Sequence, residues 1–142
     1  MASLHKSIII SSLYGRRDER HTTTAITPGA LVTLGSANTV AVHTVTKGFT
    51  PAVFATENEL EGETIRDAYA NGDVVQLIHA LPGDDIQALL AADETIVIGD
   101  LLESAGDGTL QKYTDGVIIA QALEAIDGTE SDADERIIVR IV

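Results

Sequence analysis

From Ala30 onward the chain runs in short apolar stretches separated by turn residues. Leu31-Val32-Thr33-Leu34 stops at Gly35-Ser36. The next run sets Val40, Val42 and Thr44 on one side and Ala41, His43 and Val45 on the other. This period of two predicts a strand with apolar residues on both faces. Residues 52–56 predict a third strand after Thr50-Pro51, and residues 74–80 a fourth, closed by Pro82-Gly83. Residues 86–92 fit a strand or a short turn. Residues 95–98 are short and β-branched, which predicts a buried strand, with residues 110–113 as its partner across Asp107-Gly108. Residues 116–126 alternate over eleven positions and predict a long strand bent at Ala120. The last run points Ile137, Val139 and Ile141 inward and Arg140 outward. Between these runs, residues 58–69 predict an irregular connection because Gly62 interrupts any helix, and residues 130–135 predict a solvated acidic loop. The pattern predicts neither an internal repeat nor a second domain.

Turn chemistry strengthens the all-β reading. Gly-Asp steps occur at Gly72-Asp73, Gly83-Asp84, Gly99-Asp100 and Gly106-Asp107. Glycine takes positive φ without a Cβ clash, and aspartate hydrogen-bonds its own backbone. At 142 residues the chain fits one domain with one core. Aromatics are only 4%, so that core must be built from Val, Ile, Leu and Ala.

Charge divides the chain. The net charge is −13, which opposes binding to a phosphate backbone and argues against nucleic acid as a partner. It suits a protein at high concentration or in high salt. No stretch approaches the roughly 20 apolar residues of a membrane helix, so no membrane partner is expected. The start of the chain lacks a signal-peptide pattern and reads as mature protein. Yet Lys6, Arg16, Arg17 and Arg20 all fall in the first 21 positions, with only Asp18 and Glu19 against them. Residues 11–29 lack sustained periodicity and contain loop material such as Thr22-Thr23-Thr24 and Pro28-Gly29. Residues 1–29 therefore predict a basic N-terminal arm, ordered by a partner surface, and residues 30–142 a β-rich domain. In that arm Arg16, Arg17 and Arg20 are candidates for charge contacts, and Ile8, Ile9 and Ile10 for pairing with an exposed sheet edge.

The search for chemistry predicts no catalytic residue, no cofactor and no metal. There are no cysteines, which removes thiolate metal sites and a Cys nucleophile. None of the seven serines, Ser104 among them, sits in a Gly-x-Ser-x-Gly elbow. The acidic pairs Asp84-Asp85 and Asp93-Glu94 lack the EF-hand spacing. Gly106-Asp107-Gly108 lacks the Lys and the following helix of a phosphate loop.

Several short words carry a family resemblance. They are Phe54-Ala55-Thr56-Glu57-Asn58-Glu59-Leu60-Glu61-Gly62, Tyr69-Ala70-Asn71-Gly72-Asp73 and Leu81-Pro82-Gly83-Asp84-Asp85. Ile98-Gly99-Asp100-Leu101-Leu102-Glu103-Ser104, Gly106-Asp107-Gly108-Thr109-Leu110 and Ala122-Leu123-Glu124-Ala125 follow. With its turn-and-strand patterning, the run over residues 54–142 resembles the capsid decoration, or cement, proteins of tailed viruses. That resemblance implies a compact single-domain β-barrel-like (β-tulip-like) fold with an extended N-terminal arm. It implies a homotrimer on the outer capsid surface of the virion, clamping the major capsid protein without enzymatic activity. The alternatives that stay open are another virion module, such as a tail tube or spike base, and a small ligand-binding barrel.

Overall fold

Three of the Gly-Asp steps build one and the same turn. In the computed structural model, which describes residues 6–128 and 135–142, Gly72, Gly83 and Gly99 have φ of 93°, 95° and 98°. The following Asp N–H donates back across the turn, from Asp73 to Ala70 O (3.0 Å), Asp84 to Leu81 O (2.9 Å) and Asp100 to Val97 O (3.1 Å). The Asp carboxylate accepts the N–H of that same first residue, at 2.8, 2.8 and 3.0 Å. The Gly N–H and Asp C=O then exchange bonds with a single residue of another segment: Thr22, Ile141 and Ala122 respectively. Thr27-Pro28-Gly29-Ala30 makes the same turn against Ala55 without a carboxylate.

Among the described residues these turns join eleven strands: β1 (Ile9–Ser11), β2 (Arg16–Thr22), β3 (Val32–Leu34), β4 (Thr39–Val42), β5 (Val53–Ala55), β6 (Val74–His79), β7 (Asp85–Leu90), β8 (Leu101–Ser104), β9 (Leu110–Lys112), β10 (Ala120–Ala122) and β11 (Glu135–Ile141). Strands in the order β3-β4-β2-β6-β5 form one sheet, which a Leu31↔Phe54 bridge brings nearly to closure. Strands β7-β11-β10-β8-β9 form a second, closed by the Leu90↔Leu110 pair, with β1 added on β7. Each sheet is a five-stranded barrel. Period-two alternation fills them: Val32, Val40, Val53, Ala55, Val75 and Leu77 pack in the first. Ile86, Leu90, Leu102, Ala120, Ile137 and Val139 pack in the second. The outward Phe54 and Ile78 of the first barrel join the core of the second, and the outward Leu89 of the second joins that of the first. The two barrels therefore share one continuous body.

The barrels are copies of one topology. Strands β2 to β6 correspond in order to β7 to β11. The only parallel pairs, β2–β4 and β7–β9, are counterparts among the described strands. The remaining pairs of each barrel match in partner and direction. Register matches too: Val32↔Val42 and Leu34↔Val40 become Leu102↔Lys112 and Ser104↔Leu110, each residue moved by 70 positions. Loop bonds correspond as well, though not all at that spacing. Gly35 N→Thr39 O maps to Ala105 N→Thr109 O, and Gly29 N→Ala55 O maps to Gly99 N→Ala122 O. Thr56 N→Gln76 O maps to Leu123 N→Ile138 O. The structure thus corrects the expectation of no internal repeat.

It also corrects the expected arm. Residues 6–29 belong to the body: β1 pairs with β7, and β2 is the middle strand of the first barrel, laddered to β6 from Arg16↔His79 to His21↔Val74. The boundary expected after residue 29 falls inside the Thr27–Ala30 turn. Residues 1–5 of that arm, and residues 129–134 covering most of the acidic tract, lie outside the described residues. Residues 95–98 are no buried strand. Ile96 alone bridges Ile126, while Val97 and Ile98 stand exposed in the turn, and residues 110–113 find their partner in β8. Of the long strand expected at 116–126, only β10 forms. The irregular connection at 58–69 holds a single 3-10 turn, Glu59–Glu61, capped by Gly62 at φ 75°. In β11 the sides are as expected, with Ile137, Val139 and Ile141 inward and Arg140 outward.

Candidate interaction surfaces

The six residues expected to grip a partner are largely engaged within the chain. Ile8 is wholly buried in the second barrel's core. Its N–H donates to the Glu57 carboxylate (3.0 Å) and its C=O accepts from Gln87 N–H (2.7 Å). Ile9 and Ile10 are half-buried in β1. The segment does add a strand to a sheet edge, as its apolar run implied, but the edge is β7 of its own chain. Arg20 turns toward the mouth of the first barrel, where its Nε donates to Asp18 (3.2 Å). Arg17 points to the opposite side of β2 and pairs with Glu59 at 3.2 Å. Arg16 is exposed. The arginines therefore do not converge on one patch, because period two sends neighbours to opposite faces.

Asp18, Arg20 and His79 form a polar cluster that sequence reasoning passed over. His79 Nε2 lies 3.1 Å from the Asp18 oxygen that also accepts from Arg20. Burial alone would push the Asp18 carboxyl up. Bonds from the Glu19 N–H, His79 and Arg20 outweigh it and hold the group below the ordinary carboxylate value. The matching positions of the second barrel are Ile86, Ala88 and Ile141, all apolar and buried. The signal in the sequence was the spacing of Arg16, Asp18 and Arg20 at every second residue, a strand period written in charges.

A buried Ser–His pair joins the barrels. Ser104 Oγ lies 2.7 Å from His43 Nδ1, and both residues are almost without exposure. Burial lowers the His43 pKa, partly offset by a bond to the Phe49 backbone. The Ser104 oxygen also accepts the Gly106 N–H at 3.2 Å. With its oxygen sealed from solvent, Ser104 holds a hairpin in place and presents no nucleophile. Nearby, the Asp115 carboxylate at 2.6 Å raises the Lys47 pKa.

The clefts are open and shallow in chemistry. One of about 490 Å³ runs along β4 past Val45, Phe49 and Pro51, and its lining is mostly apolar. Phe49 is 72% exposed there. A second, of about 320 Å³, is acidic, with Glu19, Glu61, Glu63 and Asp73 beside Val74. Among the described residues no group of three His, Cys, Asp or Glu side chains is placed to hold a metal ion. No helix of the described residues is long and apolar enough to cross a membrane. What the molecule offers is surface: an acidic body with separate apolar patches.

No family model matches the sequence, and no curated protein does. Among solved structures, the chain is similar to the head fiber gp8.5 N base of bacteriophage phi29. The TM-score is 0.61 over 90% of this chain and 94% of that one, at 13% identity. At that identity the likeness is one of fold, and it spans both barrels.

Proposed function

We propose that this protein is a non-enzymatic structural component of a tailed-virus particle, a decoration protein on the outer surface of the shell. The observation that carries the reading is the likeness of the whole tandem-barrel body to a phage head-fiber base. On this reading the protein self-associates as a homotrimer, and its partner is the major capsid protein. The net charge of −13 keeps unassembled copies apart, and weak single contacts are multiplied by the trimer. Arg16 and Arg17, exposed on β2, remain the candidates for charge contacts with the shell. The neighbour's description as a fiber base favours a second reading, a base module that carries a longer appendage.

The test is to mix purified protein with undecorated shells and sediment them. Saturable co-sedimentation is expected, weakened by Arg16→Ala with Arg17→Ala most strongly at low salt, where exposed charges are least screened. Absence of co-sedimentation at every salt concentration overturns attachment. Deleting residues 1–20 is not a neutral truncation for this purpose, since it removes β1 and most of β2.

A further inference from the structure

One turn of the fold carries a side chain that can react with its own backbone. The four turns of like geometry place Pro28, Asn71, Pro82 and Ile98 before their glycines. Gly72 has φ 93° and Asn71 keeps a negative φ. With the Asp73 N–H→Ala70 O bond (3.0 Å) this makes residues 70–73 a type II turn, whose second residue has ψ of about +120°. Proline suits that position, so the turn itself does not demand an asparagine. Asn71 is exposed, and its side chain makes no hydrogen bond among the described residues. A Cβ placed on Gly72 meets nothing within 4 Å, so solvent reaches the Asn71–Gly72 peptide bond.

Asparagine before glycine is prone to deamidation, because no Cβ on the glycine hinders attack on the side-chain amide. Gly72 N gives its proton to hydroxide and attacks Asn71 Cγ. The new C–N bond expels ammonia and closes a five-membered imide. Water then opens the imide at either carbonyl, leaving aspartate or isoaspartate at position 71. Ring closure requires Asn71 Cβ and Gly72 N on the same side of the Cα–C bond. At the ψ of a type II turn they stand roughly 120° apart about that bond. The Gly72 N–H is also held by Thr22 O (2.9 Å), and the Asp73 carboxylate holds the Ala70 N–H (2.8 Å). The folded turn therefore keeps the two reacting atoms apart.

We propose that Asn71-Gly72 is a spontaneous deamidation site that its turn holds shut, so that the reaction records opening of the first barrel. The turn clasps the end of the β2–β6 ladder, one residue beyond the His21↔Val74 pair. There Thr22 N donates to Asp73 O (2.9 Å) while Thr22 O accepts from Gly72 N. Isoaspartate inserts a methylene into the main chain inside this turn. The bonds of Gly72 and Asp73 to the one residue Thr22 then no longer fit together, and the clasp cannot re-form as it was. Opening by itself is reversible; the chemistry makes it permanent. Pro28, Pro82 and Ile98 have no side-chain amide and give the other three turns no such reaction.

The test follows aspartate and isoaspartate at position 71, by peptide mass and enzymatic methylation, in the whole chain held in mildly alkaline buffer. The rate is measured in the folded protein and in the same chain unfolded in guanidinium. The folded rate is expected to be lower by about tenfold or more, since reaction waits on local opening. Asp73→Ala removes the acceptor of the Ala70 N–H and leaves the Asn71-Gly72 pair intact. Its ratio of folded to unfolded rate is expected to exceed that of the unmodified protein. Asn71→Pro, the residue of two sister turns, is expected to keep the circular dichroism of the unmodified protein and to form no isoaspartate there. Equal folded and unfolded rates in the unmodified protein overturn the inference, because the turn then guards nothing. An Asp73→Ala ratio no higher than that of the unmodified protein also overturns it, by placing the protection outside the turn.

Discussion

Ile8→Ala is the substitution that separates a built-in leading segment from a dangling one. Ile8 is wholly buried among Phe54, Ile78 and Ile86 of the same core cluster. Truncation removes three carbons, worth about 2.4 kcal/mol at roughly 0.8 kcal/mol per methylene. The cavity left behind raises this to about 3 kcal/mol, because the surroundings of a fully buried side chain relax only partly around the gap. Unfolding entropy near 2.1 cal/mol/K per residue, taken over 142 residues, converts that loss into a fall in Tm of about 10 °C. Leu13→Ala is the control: Leu13 is 88% exposed, and its truncation is expected to stay within about 0.5 kcal/mol. Urea unfolding at a fixed protein concentration measures both, and an unchanged slope licenses the comparison. If Ile8→Ala behaves like Leu13→Ala, the packing of the leading segment described above is wrong.

Two further outcomes follow from turns and charges. Gly29→Ala is expected to cost more than Gly72→Ala in urea unfolding. Both sit at positive φ (96° and 93°), at roughly 1–2 kcal/mol of strain, but only Gly29 has backbone of β7 within 3.3 Å of the added methyl. Equal costs would mean that the barrel junction yields freely. Asp18→Asn tests the barrel mouth. The Asp18 carboxyl is held below its ordinary value of 3.8, so its contribution is present above that pH and disappears as pH falls through the lower folded value. The variant's deficit is therefore expected at pH 7 and should shrink below about pH 4. A deficit of the same size at pH 3 and pH 7 would remove the carboxylate from the account.

Most of the fold was legible where turn chemistry and alternation agree. The Gly-Asp steps announced their turns because only glycine takes that φ cheaply and the next carboxylate closes the loop on itself. β6 and β11 were legible because Val75, Leu77, Ile137 and Val139 alternate as strand residues should. β2 was not. Its inward residues are Asp18, Arg20 and Thr22, which the barrel tolerates because His79 and the mouth satisfy two of them. A hydrophobic pattern search reads such a strand as loop. Val97 and Ile98 misled in the other direction, since β-branched residues suggest a buried strand and here they tip a turn. The duplication hid because spacing drifts: Val32 and Leu102 differ by 70 positions, but Val53 and its counterpart Ala120 by 67. The three arginines fall on different faces for a related reason, as charge counted along the chain ignores which side of a strand each arginine takes.

Hydrogen exchange followed by mass spectrometry puts the two-barrel architecture to its most direct trial. Peptides covering β2 are expected to be protected as strongly as those covering its counterpart β7, because both are laddered along their length inside a closed or nearly closed barrel. If β2 exchanges at the rate of an unstructured chain while β7 stays protected, the first barrel does not exist as described, and the duplicated fold goes with it.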